Sequence, residues 1–261
     1  MKKVVLLAAF AVAALAANAQ VLKNEFLKDY KPGQQLEKGT YEEKNAPIRE
    51  NTWMGAFYAQ PFAGAEGPKV TKGLTYEGYP ETGAAIHMSG YPTGAEKGRR
   101  FSVYSLTRNN GQYNKGVYYL AFLMNVEKLG ASGFVDIVAL DINYFGNNNR
   151  GKVFIGRDDN GKLKFGVGVR KTPEATEGVG GFDFRKTNLV VLKVDYDNQE
   201  VSLFVNPELT KEEPKPVATA KAAEGELKHG IKGISYNYRR NYKGAVGGFR
   251  FADNWATAIG K

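Results

Sequence analysis

The two carboxylates that come closest to a catalytic pair are Asp136 and Asp141, which lie five residues apart in one apolar segment. A retaining glycosidase needs two carboxylates about 5 Å apart, one as nucleophile and one as acid. Without a bulge, a separation of five residues places the two side chains on opposite faces of a strand. Aspartate also has a shorter arm than glutamate. The sequence therefore disfavours hydrolysis by this pair.

Other catalytic and metal-binding motifs are absent from the sequence. The chain has no cysteine and two histidines, His87 and His229, which excludes thiolate chemistry, disulfides and any site with three imidazoles. It has no Gly-x-Ser-x-Gly nucleophile motif and no phosphate-binding loop. Residues 158–161 (DDNG) lack the spaced acids of a calcium loop. We expect no catalytic residue, metal or cofactor. A calcium site built from loop carboxylates and backbone carbonyls stays open as an alternative, because such a site has little sequence signature.

The first twenty residues have the pattern of a secretory signal peptide. Lys2 and Lys3 precede an apolar stretch at residues 4–16, and residues 17–19 (ANA) fit the small-x-small rule for cleavage. The stretch is short for a membrane span of about 20 residues. We therefore expect residues 1–19 to be removed, residues 20–261 to be exported to the periplasm or beyond, and no segment to span the membrane.

The chain carries 36 basic and 27 acidic residues, a net charge of +9. Loss of residues 1–19 lowers this to +7, because that segment holds two lysines and no acid. The basic residues are scattered, which usually serves solubility. A glycan or an anionic extracellular polymer is a partner that suits this charge. Nucleic acid is not expected, since the chain is exported and has no recognised binding motif.

The mature chain shows strands separated by turns. Residues 117–126 (VYYLAFLMNV) are apolar on both faces, which predicts a central strand. Asn-Gly at 160–161 predicts a hairpin between residues 152–157 and 162–169. Further strands are expected at residues 134–145, 188–195, 200–205, 231–239 and 247–252, with a polar surface excursion at 207–229. This spacing predicts one all-β domain, an antiparallel two-sheet jelly-roll sandwich.

Several segments, taken in order, resemble a known family. They are residues 73–86 (GLTYEGYPETGAAI), the strand at 117–126, the hairpin at 151–168, the strand pair ending at Asn206 and Pro207, and the tail at 247–256 (GGFRFADNWA). Together they are similar to exported bacterial domains with the concanavalin A-like (laminin G-like) jelly roll. Gly247 and Gly248 stand where such domains often have an acidic residue. The resemblance implies this fold over nearly the whole mature chain.

The resemblance leaves the function open, because the superfamily includes lectins, carbohydrate-binding modules, hydrolases, lyases and adhesive domains. The first hypothesis is a non-catalytic binding module for a glycan or another extracellular polymer. The alternative is an adhesive or structural protein that binds another protein, which a large exposed apolar patch would favour. The third is a polysaccharide hydrolase or lyase with an unrecognised site. A lyase would want a His or Tyr base beside Arg and Gln or Asn, and no motif surrounds His87.

A candidate ligand surface combines a loop with a tyrosine-rich segment. In this fold, ligands commonly bind on the concave sheet or on the loops at its rim. Residues 147–150 (NNNR) offer amides and a planar guanidinium, and residues 236–242 (YNYRRNY) offer aromatic rings. The surface depends on the two segments meeting in space. Its residues are Tyr144, Asn148, Arg150, Tyr238, Arg239 and Tyr242.

The signal-peptide interpretation predicts that the exported protein begins at Gln20. The apolar run at residues 4–16 and the small residues at 17 and 19 form the pattern that a signal peptidase recognises. Mass spectrometry of the N-terminal peptide of exported material tests this. Exported protein that still contained residues 1–19 would contradict the prediction.

Overall fold

The structure is a computed structural model whose described residues form sixteen strands and one short helix. The described residues are 21–36, 38–39, 51–57, 68–81, 83–89, 100–107, 109, 111–130, 133–141, 149–170, 173, 178–238 and 242–261. In chain order the strands are β1 (Val21–Lys23), β2 (Lys38–Gly39), β3 (Trp53–Phe57), β4 (Lys69–Thr71), β5 (Ala85–Ser89), β6 (Arg100–Ser105), β7 (Val117–Lys128), β8 (Val135–Asp141), β9 (Asn149–Arg157), β10 (Leu163–Gly168), β11 (Gly178–Phe182), β12 (Thr187–Asp195), β13 (Glu200–Val205), β14 (Ala218–Lys221), β15 (Gly233–Tyr238) and β16 (Lys243–Ala252). The helix is α1 (Trp255–Ile259).

The strands form two eight-stranded sheets packed face to face. Sheet A has the order β14-β13-β12-β7-β16-β5-β4, with β1 paired to β16. Sheet B has the order β11-β10-β9-β8-β15-β6-β3-β2. Among the described strands the pairings are antiparallel, apart from the parallel pair β2–β3. The predicted all-β, antiparallel two-sheet jelly-roll sandwich is therefore confirmed.

Strand β7 is buried on both of its faces, as its sequence predicts. Leu120, Phe122 and Met124 belong to the core between the sheets. Tyr119 and Leu123, from the alternate positions, belong to a second apolar cluster on the outer face of sheet A. Because successive side chains of a strand point to opposite faces, a strand apolar at every position needs an apolar layer on each side.

The second layer is supplied by α1 and the segment around Tyr79. Asn254 caps the helix by accepting from the backbone N–H of Thr257 at 2.9 Å, and Gly260 ends it at a φ of 78°. The Trp255 ring packs 4.8 Å from Phe204 between ring centres. The Tyr79 hydroxyl donates to the carbonyl of Gly248 at 2.8 Å. These contacts close part of the outer face of sheet A.

The main paired strands lie where the sequence predicts them, and three local features differ. The hairpin β9–β10 turns at residues 158–161, and β12 pairs with β13. The expected excursion at 207–229 contains β14, which adds an edge strand to sheet A. The glycine-rich residues 178–182, for which no strand is predicted above, form the edge strand β11. The helix α1 was not expected from the sequence, and residues 142–145 of the second predicted strand lie outside the described residues.

Gly247 and Gly248 occupy a crowded stretch of β16, which explains why no acidic side chain is found there. A Cβ atom on Gly247 would lie 2.8 Å from the carbonyl oxygen of Ala84. Gly248 has a φ of 57°, which favours glycine, and the register between β16 and β7 shifts between residues 247 and 250. Glycine at these two positions is therefore a packing feature.

Phe249 connects the two sheets and offers a test of the core. Its ring centre lies 5.2 Å from that of Trp53 in sheet B and 5.9 Å from that of Phe122 in sheet A. We expect Phe249→Ala to lower the free energy of unfolding by about 3–5 kcal/mol, because the lost ring leaves a cavity. Urea denaturation measures this. Val217→Ala, at a half-exposed position, should change the value by less than about 0.5 kcal/mol, and equal effects of the two changes would contradict the packing described here.

Candidate functional site

Two of the six predicted ligand residues have described side chains, and both are buried. Tyr242 is fully buried, and its hydroxyl lies 2.7 Å from that of Tyr236 inside the core. Arg150 is 6% exposed, and its Nε donates to the carbonyl oxygen of Glu226. Tyr242 is buried because it packs in the core. Arg150 is buried because it supports the segment around Glu226. Tyr242 is thus part of the core, and the Arg150 side chain is committed to the carbonyl of Glu226, so these two residues do not form a ligand surface together.

The other four residues of that surface remain a prediction. Tyr144, Asn148 and Arg239 lie outside the described residues. Tyr238 ends β15, and its side chain is also outside the described part of the chain. Residues 149–150 of the predicted loop belong instead to β9, and no described contact joins them to the tyrosine-rich segment.

Asp136 and Asp141 lie on the same face of β8, contrary to the expectation for a strand without a bulge. The register of β8 against β9 shifts between Asp136 and Val138. Ile137 and Val138 both pack in the core between the sheets, so the alternation restarts at this point. Asp136 then points to the outer face of sheet B, and Asp141, which follows the core residue Leu140, points to the same face.

This shared face does not make the two aspartates a retaining pair. With the bulge counted as one step, their Cα atoms are about 13 Å apart along the strand. Two short aspartate side chains cannot reduce that distance to the separation of about 5 Å that a retaining pair needs. Asp136 is also engaged, because Lys152 Nζ and Asn237 Nδ2 lie 3.5 Å and 3.3 Å from its Oδ2 atom.

The outer face of sheet B carries a cluster of polar side chains on three adjacent strands. We call it the polar face of sheet B: Asp136 and Asp141 on β8, Lys152 on β9, and Ser235 and Asn237 on β15. The register places Ala139 between Lys152 and Ser235, so a small residue separates the polar ones. Lys152, Ser235 and Asn237 are each at most 8% exposed. The cluster is therefore a fixed arrangement of an ammonium, carboxylates, an amide and a hydroxyl.

A second polar site, on the outer face of sheet A, was missed by the sequence analysis. His87 Nε2 lies 3.0 Å from Glu127 Oε1, and Lys243 Nζ lies 2.8 Å from Glu127 Oε2. Partial burial raises the pKa of Glu127, but the hydrogen bonds from Lys243 and His87 outweigh it and hold this pKa below its ordinary value. The alternation in residues 85–89 (AIHMS) does predict that His87 points away from the core. Its partner, forty residues away, becomes a neighbour only through the order of the strands.

Comparison with known proteins gives a fold and no family. No family model and no curated protein matches the chain. The GH131 β-glucanase catalytic domain from Podospora anserina is 11% identical, over 92% of this chain and 98% of that one, with a TM-score of 0.55. The chain shares its β-sandwich fold.

Two other solved structures match with lower TM-scores. A Trypanosoma rangeli sialidase mutant displaying trans-sialidase activity is 14% identical, over 79% of this chain, with a TM-score of 0.46. The chain spans 32% of that sialidase. An alginate lyase from Pseudomonas aeruginosa is 12% identical, over 70% of this chain and 88% of that one, with a TM-score of 0.42.

Two features are absent from the described residues. They contain no helix that is long and apolar enough to cross a bilayer. They also contain no group of three or more His, Asp or Glu side chains placed to hold a metal ion.

The ion pair on the polar face of sheet B can be tested by its energetics. We expect Lys152→Met to lower the free energy of unfolding by about 2 kcal/mol, because it removes an ammonium group that contacts the largely buried carboxylate of Asp136. Adding Asp136→Asn should recover part of that loss. Urea denaturation of the two single variants and the double variant measures the coupling.

The exposed pair Lys221–Glu200 on the edge of sheet A provides a matched control. Its lysine side chain is 71% exposed, so Lys221→Met should cost less than about 0.5 kcal/mol. Equally small effects of Lys152→Met and Lys221→Met would contradict the description of Lys152 and Asp136 as a largely buried ion pair.

Proposed function

We propose that this chain is an exported, non-catalytic protein that binds a glycan on the polar face of sheet B. The observation that carries the proposal is the set of fixed polar groups on that face. Sugar hydroxyls each donate and accept hydrogen bonds, so their recognition needs donors and acceptors held at defined positions. Asp136 supplies acceptors, Lys152 supplies donors, and Asn237 supplies both.

Energetics support a binding role for these groups. Burying charges costs free energy, and replacing a buried ion pair by apolar residues often leaves a protein as stable or more stable. The outer face of sheet A shows that this chain can cover a sheet with apolar side chains where no polar group is needed. A ligand that uses the polar groups gives a reason to keep them on sheet B.

The fold of the glucanase domain agrees with a glycan ligand, because that protein is named for its action on a β-glucan. A glycan is also favoured over a protein partner by the described surface. Among the described residues Val217 is the one large apolar side chain that is exposed, whereas protein-binding surfaces usually present a contiguous apolar patch. The adhesive alternative has no comparable observation in its favour.

The non-catalytic part of the proposal rests on Asp136 and Asp141. Their separation is too large for a retaining pair, and Asp136 already contacts Lys152 and Asn237. A carboxylate paired with an ammonium group and an amide is a poor nucleophile, because those partners stabilise its charge. The geometry therefore suits holding a ligand better than cleaving it.

Binding to polysaccharides tests the proposal directly. Residues 20–261 should bind at least one member of a panel of insoluble and soluble polysaccharides. Asp136→Asn combined with Asn237→Leu should weaken that binding by roughly tenfold or more, since each hydrogen bond to a charged group is worth about 1.5–3 kcal/mol. Affinity electrophoresis and pull-down assays measure this.

The matched control is Glu200→Gln with Lys221→Met, which removes an exposed ion pair from the edge of sheet A and should leave binding unchanged. Circular dichroism would verify that both double variants remain folded. Binding that survives the loss of Asp136 and Asn237 would overturn the site. Release of reducing ends or of unsaturated products from a bound polysaccharide would overturn the non-catalytic assignment.

A further inference from the structure

The outer face of sheet A contains a groove that the proposed function does not use. The register places five residues in one row across five strands, in the order Lys69, His87, Ala245, Asn125 and Thr187. Ala245 is the smallest of them and lies between His87 and Asn125. The row is therefore low at its centre, which gives a groove about one side chain deep. Leu74 also lines the groove, and Glu127 and Arg185 complete its walls.

The acidic group in this groove is paired within the protein, whereas the guanidinium of Arg185 has no described partner. Both oxygens of the Glu127 carboxylate are occupied, Oε1 by His87 at 3.0 Å and Oε2 by Lys243 at 2.8 Å. The one acidic group of the groove is thus neutralised within the protein. Arg185 is exposed, and no described side chain pairs with its guanidinium. The groove consequently presents an unsatisfied positive charge.

The backbone of Arg185 is held in an unusual conformation. Its φ is 63°, in the left-handed region that non-glycine residues rarely adopt. Its N–H donates to the carbonyl of Val126 at 2.8 Å, and its carbonyl accepts from Asn125 Nδ2 at 3.2 Å. Both backbone groups are thus fixed to β7. Glycine would adopt this conformation without strain, so replacing Arg185 by glycine removes the side chain without distorting the backbone.

We propose that this groove binds an acidic polysaccharide, with the guanidinium of Arg185 taking the anionic group of one sugar unit. A guanidinium offers two parallel donors that match a carboxylate or a sulfate. Asn125 Nδ2 donates to the carbonyl of Arg185, and the Oδ1 atom of the same amide, which accepts from no described group, supplies an acceptor for a sugar hydroxyl. Leu74 and Ala245 give an apolar floor for the face of the ring. This site lies on the opposite sheet from the polar face of sheet B and is independent of it.

The variant that tests the site is Arg185→Gly, because it removes the side chain and relieves the backbone strain. We expect its melting temperature to be the same as that of the wild type or higher, with a rise of up to about 2 °C. Its affinity for polygalacturonate, measured by isothermal titration calorimetry, should fall by roughly tenfold or more. Binding of the neutral glycan found for sheet B should stay unchanged.

The neighbouring Lys186→Ala is the matched control for the loss of one positive charge. Lys186 already pairs with Asp183 at 2.7 Å, so its removal should leave polygalacturonate affinity within about twofold. Equal losses for Arg185→Gly and Lys186→Ala would overturn the site in favour of general charge attraction. An undetectable interaction of the wild type with both polygalacturonate and a sulfated glycan would overturn it as well.

Three further ligands define the chemistry. Stronger binding of polygalacturonate than of a sulfated glycan of the same length would identify a carboxylate as the group that Arg185 prefers. The reverse order would identify a sulfate. Either result supports the proposal. Fully methyl-esterified polygalacturonate should bind poorly and show no dependence on Arg185. Poly-glutamate that bound as tightly, and with the same dependence on Arg185, would overturn the assignment to a polysaccharide.

The same assay distinguishes this inference from the proposed function. Asp136→Asn combined with Asn237→Leu should leave polygalacturonate binding intact if the groove acts alone. Loss of polygalacturonate binding in that variant, with Arg185→Gly unaffected, would move the anionic ligand to sheet B and overturn the groove.

Discussion

Strand β7 must be kept out of water on both of its faces, and the arrangement of the rest of the sandwich depends on this. Its inner side chains, such as Phe122, need sheet B, and its outer side chains, such as Leu123, need a second cover. Burial of one such side chain is worth about 1.5–3 kcal/mol. The strand therefore accounts for a sandwich on one side and for the cap of α1 and Tyr79 on the other.

The same constraint decides where polar chemistry can be placed. The apolar positions of the outer face end at Leu123, and the next outward residues of β7 are Asn125 and Glu127. Beyond that point sheet A carries the groove with His87 and Arg185. The outer face of sheet B also lies outside the core between the sheets, and Asp136, Lys152 and Asn237 lie there. Each sheet thus presents one polar region on the side away from the common core.

Much of the fold could be predicted from the sequence, because many of its strands and turns are specified by neighbouring residues. The continuous apolar run at 117–126 indicates a strand buried on both faces, and Asn160–Gly161 indicates the turn of the β9–β10 hairpin. The helix α1 has five residues, too few for a helical period to be recognised. Strand β14 lies among prolines and charges, and its pairing with β13 is what makes it a strand.

The sites could be predicted only in part, since they depend on bulges and strand order. The face that Asp136 occupies follows from a bulge that its neighbours Ile137 and Val138 do not signal. Tyr236 and Tyr242 do come together, but inside the core, where their hydroxyls lie 2.7 Å apart. The alternation of Ile234, Ser235, Tyr236 and Asn237 already assigns the tyrosine to the apolar side. His87 and Glu127 meet because β5 and β7 both pair with β16.

Hydrogen–deuterium exchange with a neutral polysaccharide that the protein binds tests the central claim, that sheet B holds the glycan on its outer face. The account predicts slower exchange on binding in peptides that cover β8, β9 and β15, with no change in peptides that cover β13 and β14. Protection limited to β13 and β14, with β8, β9 and β15 unchanged, would contradict it.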